Sequence, residues 1–125
     1  MAKYSYPAIF HKDKQTGGYW VEFPDWNKIN YCACTDGKNY KQARHMAEDL
    51  LGLICWDREN EHKECPPSGK LEDYFEIGSL PGNSVIMIEA DTDAYRQIMR
   101  FIDNRSLHYR YQQIRKAVER YKKWD

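Results

Sequence analysis

A chain of 125 residues has room for one domain with its own core plus a short appendage, and too little for two full domains. Hydrophobic residues at 42% and charged residues at 30% exclude a disordered chain, and no apolar run approaches the roughly 18 residues of a membrane span. Nineteen acids cancel nineteen bases, but unevenly: residues 96–125 hold nine Arg or Lys against three acids, 9 − 3 = +6, which leaves −6 on the remainder.

The segment Tyr4 to Phe10 predicts a first strand, followed by a polar loop from Lys12 that ends in Gly17-Gly18. From Tyr19 to Phe23 the pattern alternates. Trp20 and Glu22 go to one face and Tyr19, Val21 and Phe23 to the other. Pro24 removes a backbone donor and stops the strand, so the two strands read as a hairpin. Asp25 to Lys28 is turn-like. A third strand is expected from Ile29 to Thr35, with Tyr31, Ala33 and Thr35 opposite Cys32 and Cys34. Asp36-Gly37 breaks it, and Gly37 is read as the residue that permits a positive φ before the next helix.

Asn39 is a good N-cap, and Ala43, Met46, Ala47, Leu50, Leu51 and Ile54 form one helical stripe opposite Lys41, Arg44, Glu48 and Asp49. That helix should end between Trp56 and Glu61, ahead of Pro66-Pro67. Residues 64–83 read as a loop punctuated by Pro and Gly. Ser84 to Glu89 predicts a fourth strand, whose nearly unbroken apolar run implies cover on both faces or a central place in the sheet. Asp91 to Asp93 can cap a helix containing Tyr95, Ile98, Met99 and Ile102, and a last helix is expected over 107–123. The order βββαβ with two short helices at the end defines an α+β fold.

The chemistry of the chain is sparse. His11, His45, His62 and His108 fall in different elements, and the motifs of phosphate-binding loops, dinucleotide sites and nucleophile elbows are absent from the sequence. Cys32-Ala-Cys34 has the wrong spacing for zinc, and Cys55 and Cys65 complete a set read as free thiols in a reducing, cytoplasmic setting. Asp25 and Asp36 could serve as a carboxylate pair for a metal nuclease, but a two-metal site needs three or four converging acids. Strand-end acids are more often turn formers. The expectation is therefore a chain with no catalytic residue, metal or cofactor. Ten Tyr and four Trp either fill the core or build a binding surface. Trp20, Asp25 and Trp26 are the candidate partner contacts. In the tail, Arg110, Arg115, Lys116, Arg120, Lys122 and Lys123 form a basic face that would either meet nucleic acid or simply stay solvated on a docking helix.

Several pieces, in order, carry a resemblance. They are Tyr6-Pro-Ala8, Gly18-Tyr-Trp-Val-Glu-Phe-Pro-Asp25, Gly37-Lys-Asn-Tyr-Lys-Gln-Ala43, Ala47-Glu-Asp-Leu-Leu-Gly-Leu53, Pro66-Pro-Ser68, and the run from Val85 to Tyr95. Together they resemble the HicB-like antitoxins over roughly residues 3–96. The resemblance implies a partial RNase H-like fold without the nuclease carboxylates. It also implies a non-catalytic, oligomeric protein that blocks a HicA-like, messenger-RNA-degrading toxin and represses its own operon through a C-terminal DNA-binding segment. Residues 1–96 would be the HicB-like domain and 97–125 a basic helical extension. Three departures stand out. Trp26-Asn-Lys-Ile29 replaces the usual Leu-Pro-Gly-Cys, Lys38-Asn39 replaces Asp-Thr, and the tail is too short for a complete DNA-binding domain. An orphan or phage-borne domain acting as a scaffold or regulator without a toxin is the alternative these departures leave.

Overall fold

The first two strands, β1 (Lys3–Lys12) and β2 (Tyr19–Glu22), pair antiparallel with Ile9 opposite Glu22 and Lys12 opposite Tyr19. The structure, a computed structural model, describes residues 3–29, 31 and 33–93. The C-terminal helices expected around Tyr95–Ile102 and over 107–123, and the boundary at 96/97, lie outside the described residues. Gly17 supplies the φ of 75° that the hairpin loop needs. A one-turn helix α1 (Pro24–Asn27) follows, then β3 (Cys34–Gly37) and the long helix α2 (Tyr40–Asn60). A 3-10 turn (Leu71–Tyr74) runs into the short α3 (Phe75–Gly78), and β4 (Asn83–Asp91) ends the sheet. The strand order is β3-β2-β1-β4, antiparallel throughout. This is the expected βββαβ arrangement.

The period-2 pattern assigns the two faces as expected. Tyr6, Ala8, Phe10, Val21, Phe23 and Ile88 are buried against Ala43, Ala47, Leu50, Leu51 and Ile54 of α2. The helix is capped as its sequence requires: Asn39 Oδ1 accepts from the Gln42 N–H at 2.8 Å, and Gln42 Oε1 accepts from the Lys38 N–H at 2.6 Å.

Three expectations need correction. Residues 24–27 form a helical turn, because Pro24 sits at its first position with φ already set. The third strand is Cys34–Gly37 and not 29–35. The chain curls around Trp26 first, with the Ile29 and Tyr31 N–H groups both donating to the Trp26 carbonyl at 3.1 and 3.3 Å. Gly37 is needed for space and not for a positive φ: a Cβ there would lie 2.3 Å from the Ala43 nitrogen, so any larger residue pushes α2 off the sheet. Beyond these three, the structure decides between the two alternatives for β4, which is an edge strand of the described sheet and not a central one. Its apolar run is explained by cover on both faces. Ile86, Ile88 and Ala90 face the helix layer, while Val85 and Met87 lie opposite Ile9 and Pro7 on the other face.

Candidate partner-binding surface

The outer face of the sheet, away from α2, is closed by the stretch between Pro66 and Gly82. That stretch leaves the helix layer, rounds the end of β1 and crosses over β1 and β4. Polar contacts hold its near end. The Tyr6 hydroxyl donates to the Pro66 carbonyl at 2.5 Å, and Ser68 Oγ donates to the Ser5 carbonyl at 2.6 Å.

Asp25 is the centre of this attachment. It is only 5% exposed. One carboxylate oxygen accepts from the Gly69 N–H at 2.8 Å, and the other accepts from the Tyr74 hydroxyl. Lys28 Nζ lies 3.9 Å from the same carboxylate and donates to the Tyr74 oxygen at 2.9 Å. Burial, reinforced by the hydrogen bond to Asp25, raises the Tyr74 pKa above its ordinary value. Gly69 must be small, because a Cβ there would stand 3.0 Å from Asp25 Oδ1 and 3.2 Å from Asp73 Oδ2. The Pro-Asp and Pro-Pro-Ser-Gly signals of the sequence are thus two halves of one latch, 44 residues apart in the chain at its Asp25–Gly69 contact.

The three residues nominated as partner contacts do not come together on a surface. Trp26 is fully buried, tilted against Tyr6 at 5.4 Å and edge-on to Tyr31 at 5.1 Å between ring centroids. It packs the core. Asp25 is taken up by the latch. Trp20 lies on the outer face, half-buried, and stacks flat on His11 with centroids 3.8 Å apart. Glu22 Oε2 stands 3.4 Å from His11 Nε2, and Asp36 is the register partner of Trp20 on β3. Arg110, Arg115, Lys116, Arg120, Lys122 and Lys123 lie outside the described residues.

Asp25 and Asp36 belong to different environments, the latch and the β3 edge, and among the described residues no three His, Cys, Asp or Glu side chains gather as metal ligands. No helix among those residues is long and apolar enough to cross a membrane. Cys55 is buried in the helix-side core with its pKa pushed up by burial, and neither it nor Cys34 nor Cys65 is joined in a disulfide.

Sequence reasoning missed Tyr74, and with it Phe75, Ile77 and Leu80, which the chain exposes on the outer cover. A signal was there: Phe75-Glu-Ile-Gly-Ser-Leu80 sets apolar residues between glycines and prolines, where a plain solvent loop would have polar ones.

A four-stranded antiparallel sheet with one long helix on one face and a short helical cover on the other defines the class, a small α+β domain. No protein-family model and no curated protein sequence matches the chain. Solved structures do. A chain of a toxin–antitoxin complex from Streptococcus pneumoniae superposes with a TM-score of 0.61 at 23% identity, over 75% of this chain and 73% of that one. The N-terminal domain of the Burkholderia pseudomallei antitoxin HicB gives 0.57 at 15% identity, over 70% of this chain and 99% of that domain. A chain of the HicA3 and HicB3 toxin–antitoxin complex gives 0.51 at 20% identity, over 70% and 99%. The chain has the HicB-like antitoxin fold.

Proposed function

We propose that the chain is an antitoxin-type binding protein, which neutralises a small, basic, RNA-degrading toxin by covering it and not by chemistry. The observation that carries this reading is the fold shared with proteins of toxin–antitoxin complexes at TM-scores of 0.51 to 0.61. Charge supports it: everything before residue 96 sums to −6, which steers a cationic partner toward the body. In this reading Trp20 contributes from the outer face of the sheet. Asp25 and Trp26 act indirectly, one by holding the cover and the other by filling the core beneath it.

The basic tail would act separately, in a cytoplasmic oligomer, with Arg110, Arg115, Lys116, Arg120, Lys122 and Lys123 neutralising operator phosphates. Such binding would weaken steeply with salt.

The test is co-expression with each short reading frame beside this gene, scored for growth rescue and for a complex that survives purification. Rescue of a toxic neighbour with a stable complex is expected. A chain that rescues and binds none of its neighbours is no antitoxin, and the orphan scaffold would replace this reading.

A further inference from the structure

Among the described residues, five large hydrophobic side chains are exposed, and three of them crowd into six positions of the outer cover: Phe75 at 57%, Ile77 at 43% and Leu80 at 55%. Phe75 also lines a shallow hollow with Gly69, Lys70, Leu71, Glu72 and Met87. Acids outnumber bases along this segment, although Lys28 and Lys12 also touch it, at Tyr74 and Gly82. From residue 69 to 83 the chain carries Lys70 against Glu72, Asp73 and Glu76, 1 − 3 = −2. All three acids are exposed: Asp73 accepts from the Lys70 N–H at 2.9 Å, and Glu72 lies within 3.9 Å of the exposed Lys70 ammonium.

The surface is held in place. Tyr74, the residue before Phe75, is fastened to Asp25. The Ser79 N–H donates to the Phe75 carbonyl at 2.9 Å, and Asn83 Nδ2 donates to the Ile77 carbonyl at 3.1 Å. Gly78 sits so close to Val85 that a Cβ would approach Cγ2 to 2.3 Å. An aromatic side chain kept in water on a pinned turn has already lost much of the freedom that binding would otherwise remove. Apolar anchors beside an excess of exposed acids fit a partner with apolar side chains and opposite charge.

We propose that the Phe75–Leu80 turn and the hollow beside Met87 are the docking surface for a basic polypeptide. An apolar side chain of that partner enters beside Phe75, and its Lys or Arg side chains meet Glu72 and Glu76. The inference rests on the antitoxin reading and names the surface that serves it. A second copy of this chain is the poorer occupant, because a twofold contact would bring Glu72 and Glu76 against their own kind.

The test uses the full chain and the co-purifying protein encoded beside it, with affinity measured for wild type, Phe75→Ser, Leu80→Ser and Glu72→Lys/Glu76→Lys. Loss of an aromatic anchor should weaken binding by about thirtyfold. Charge reversal should slow association and flatten its salt dependence. Melting temperatures should stay near wild type, since all four side chains are exposed. Unchanged affinity in all variants overturns this inference and leaves the antitoxin reading standing. Absence of any complex with wild type overturns both. A change in the sedimentation of the isolated chain, with partner binding intact, would assign the surface to a second copy. Increased proteolysis of residues 97–125 in Phe75→Ser, again with partner binding intact, would assign it to the chain's own basic end. Either result contradicts the proposal.

Discussion

The two faces of the sheet are closed in different ways. On one, α2 lays a continuous apolar stripe over Tyr6, Ala8, Phe10, Val21 and Phe23, and close packing is the adhesive. On the other, a segment with little regular structure crosses Pro7, Ile9, Val85 and Met87, held by a buried carboxylate, a tyrosine hydroxyl and two backbone carbonyls. The first kind of closure depends on total apolar area and tolerates small polar changes. The second depends on a few directional bonds, so one substitution can release it while the core survives. A cover of that kind can present side chains such as Phe75 to solvent, because its own attachment does not need them.

Four substitutions or conditions sharpen the contrast. Trp26→Ala should be the most damaging, at about 3–5 kcal/mol in urea unfolding, since a fully buried indole leaves a cavity between Tyr6 and Tyr31. A loss below ~1 kcal/mol would mean that the helix-side core does not depend on it. Asp25→Ala should cost about 1–3 kcal/mol by stranding the Gly69 N–H and the Tyr74 hydroxyl. In contrast to the first variant, it should leave the near-ultraviolet signature of the helix-side core in place.

Raising the pH probes the helix-side core. Burial raises the pKa of Cys55 and of Tyr6 in the folded chain, so each favours the folded state fully below its unfolded pKa, about 8.5 for Cys and about 10 for Tyr. That stability is lost as pH climbs above those values. Denaturation free energy should therefore fall between roughly pH 9 and 11, approaching ~1.4 kcal/mol per pH unit for each proton withheld in the folded state. Cys55→Ala should remove the earlier part of the slope, and a flat profile in the wild type would contradict the burial of both groups. The smallest effect is expected from Glu48→Ala. It breaks an exposed pair with Arg44 at 3.4 Å, and its melting curve should move by less than about 0.5 kcal/mol.

The same contrast explains what could be read in the sequence. Periodicity reports a face that packs against a continuous partner, so the hairpin, the α2 stripe and the Asn39 cap were legible residue by residue. The curl around Trp26 was not. It depends on the Asn27 side chain accepting from the Ala33 N–H at 2.7 Å, a contact that no period encodes. Nor was the latch, whose halves look like unrelated turn signals until the fold brings Gly69 to Asp25. Trp26 misled for a related reason. A tryptophan in a polar stretch after Pro-Asp reads as exposed, and only the helical turn that begins at Pro24 swings it inward. Gly37 stands out in the sequence, but its cause does not, since a close helix–strand approach leaves no local mark distinguishing it from a positive φ.

Amide hydrogen exchange followed by mass spectrometry on Asp25→Ala is the most direct test of the independent outer cover. Faster exchange confined to residues 66–82, with α2 and the β1–β2 hairpin as protected as in wild type, is the outcome predicted. Protection lost evenly across the whole domain, or not lost anywhere, would contradict it.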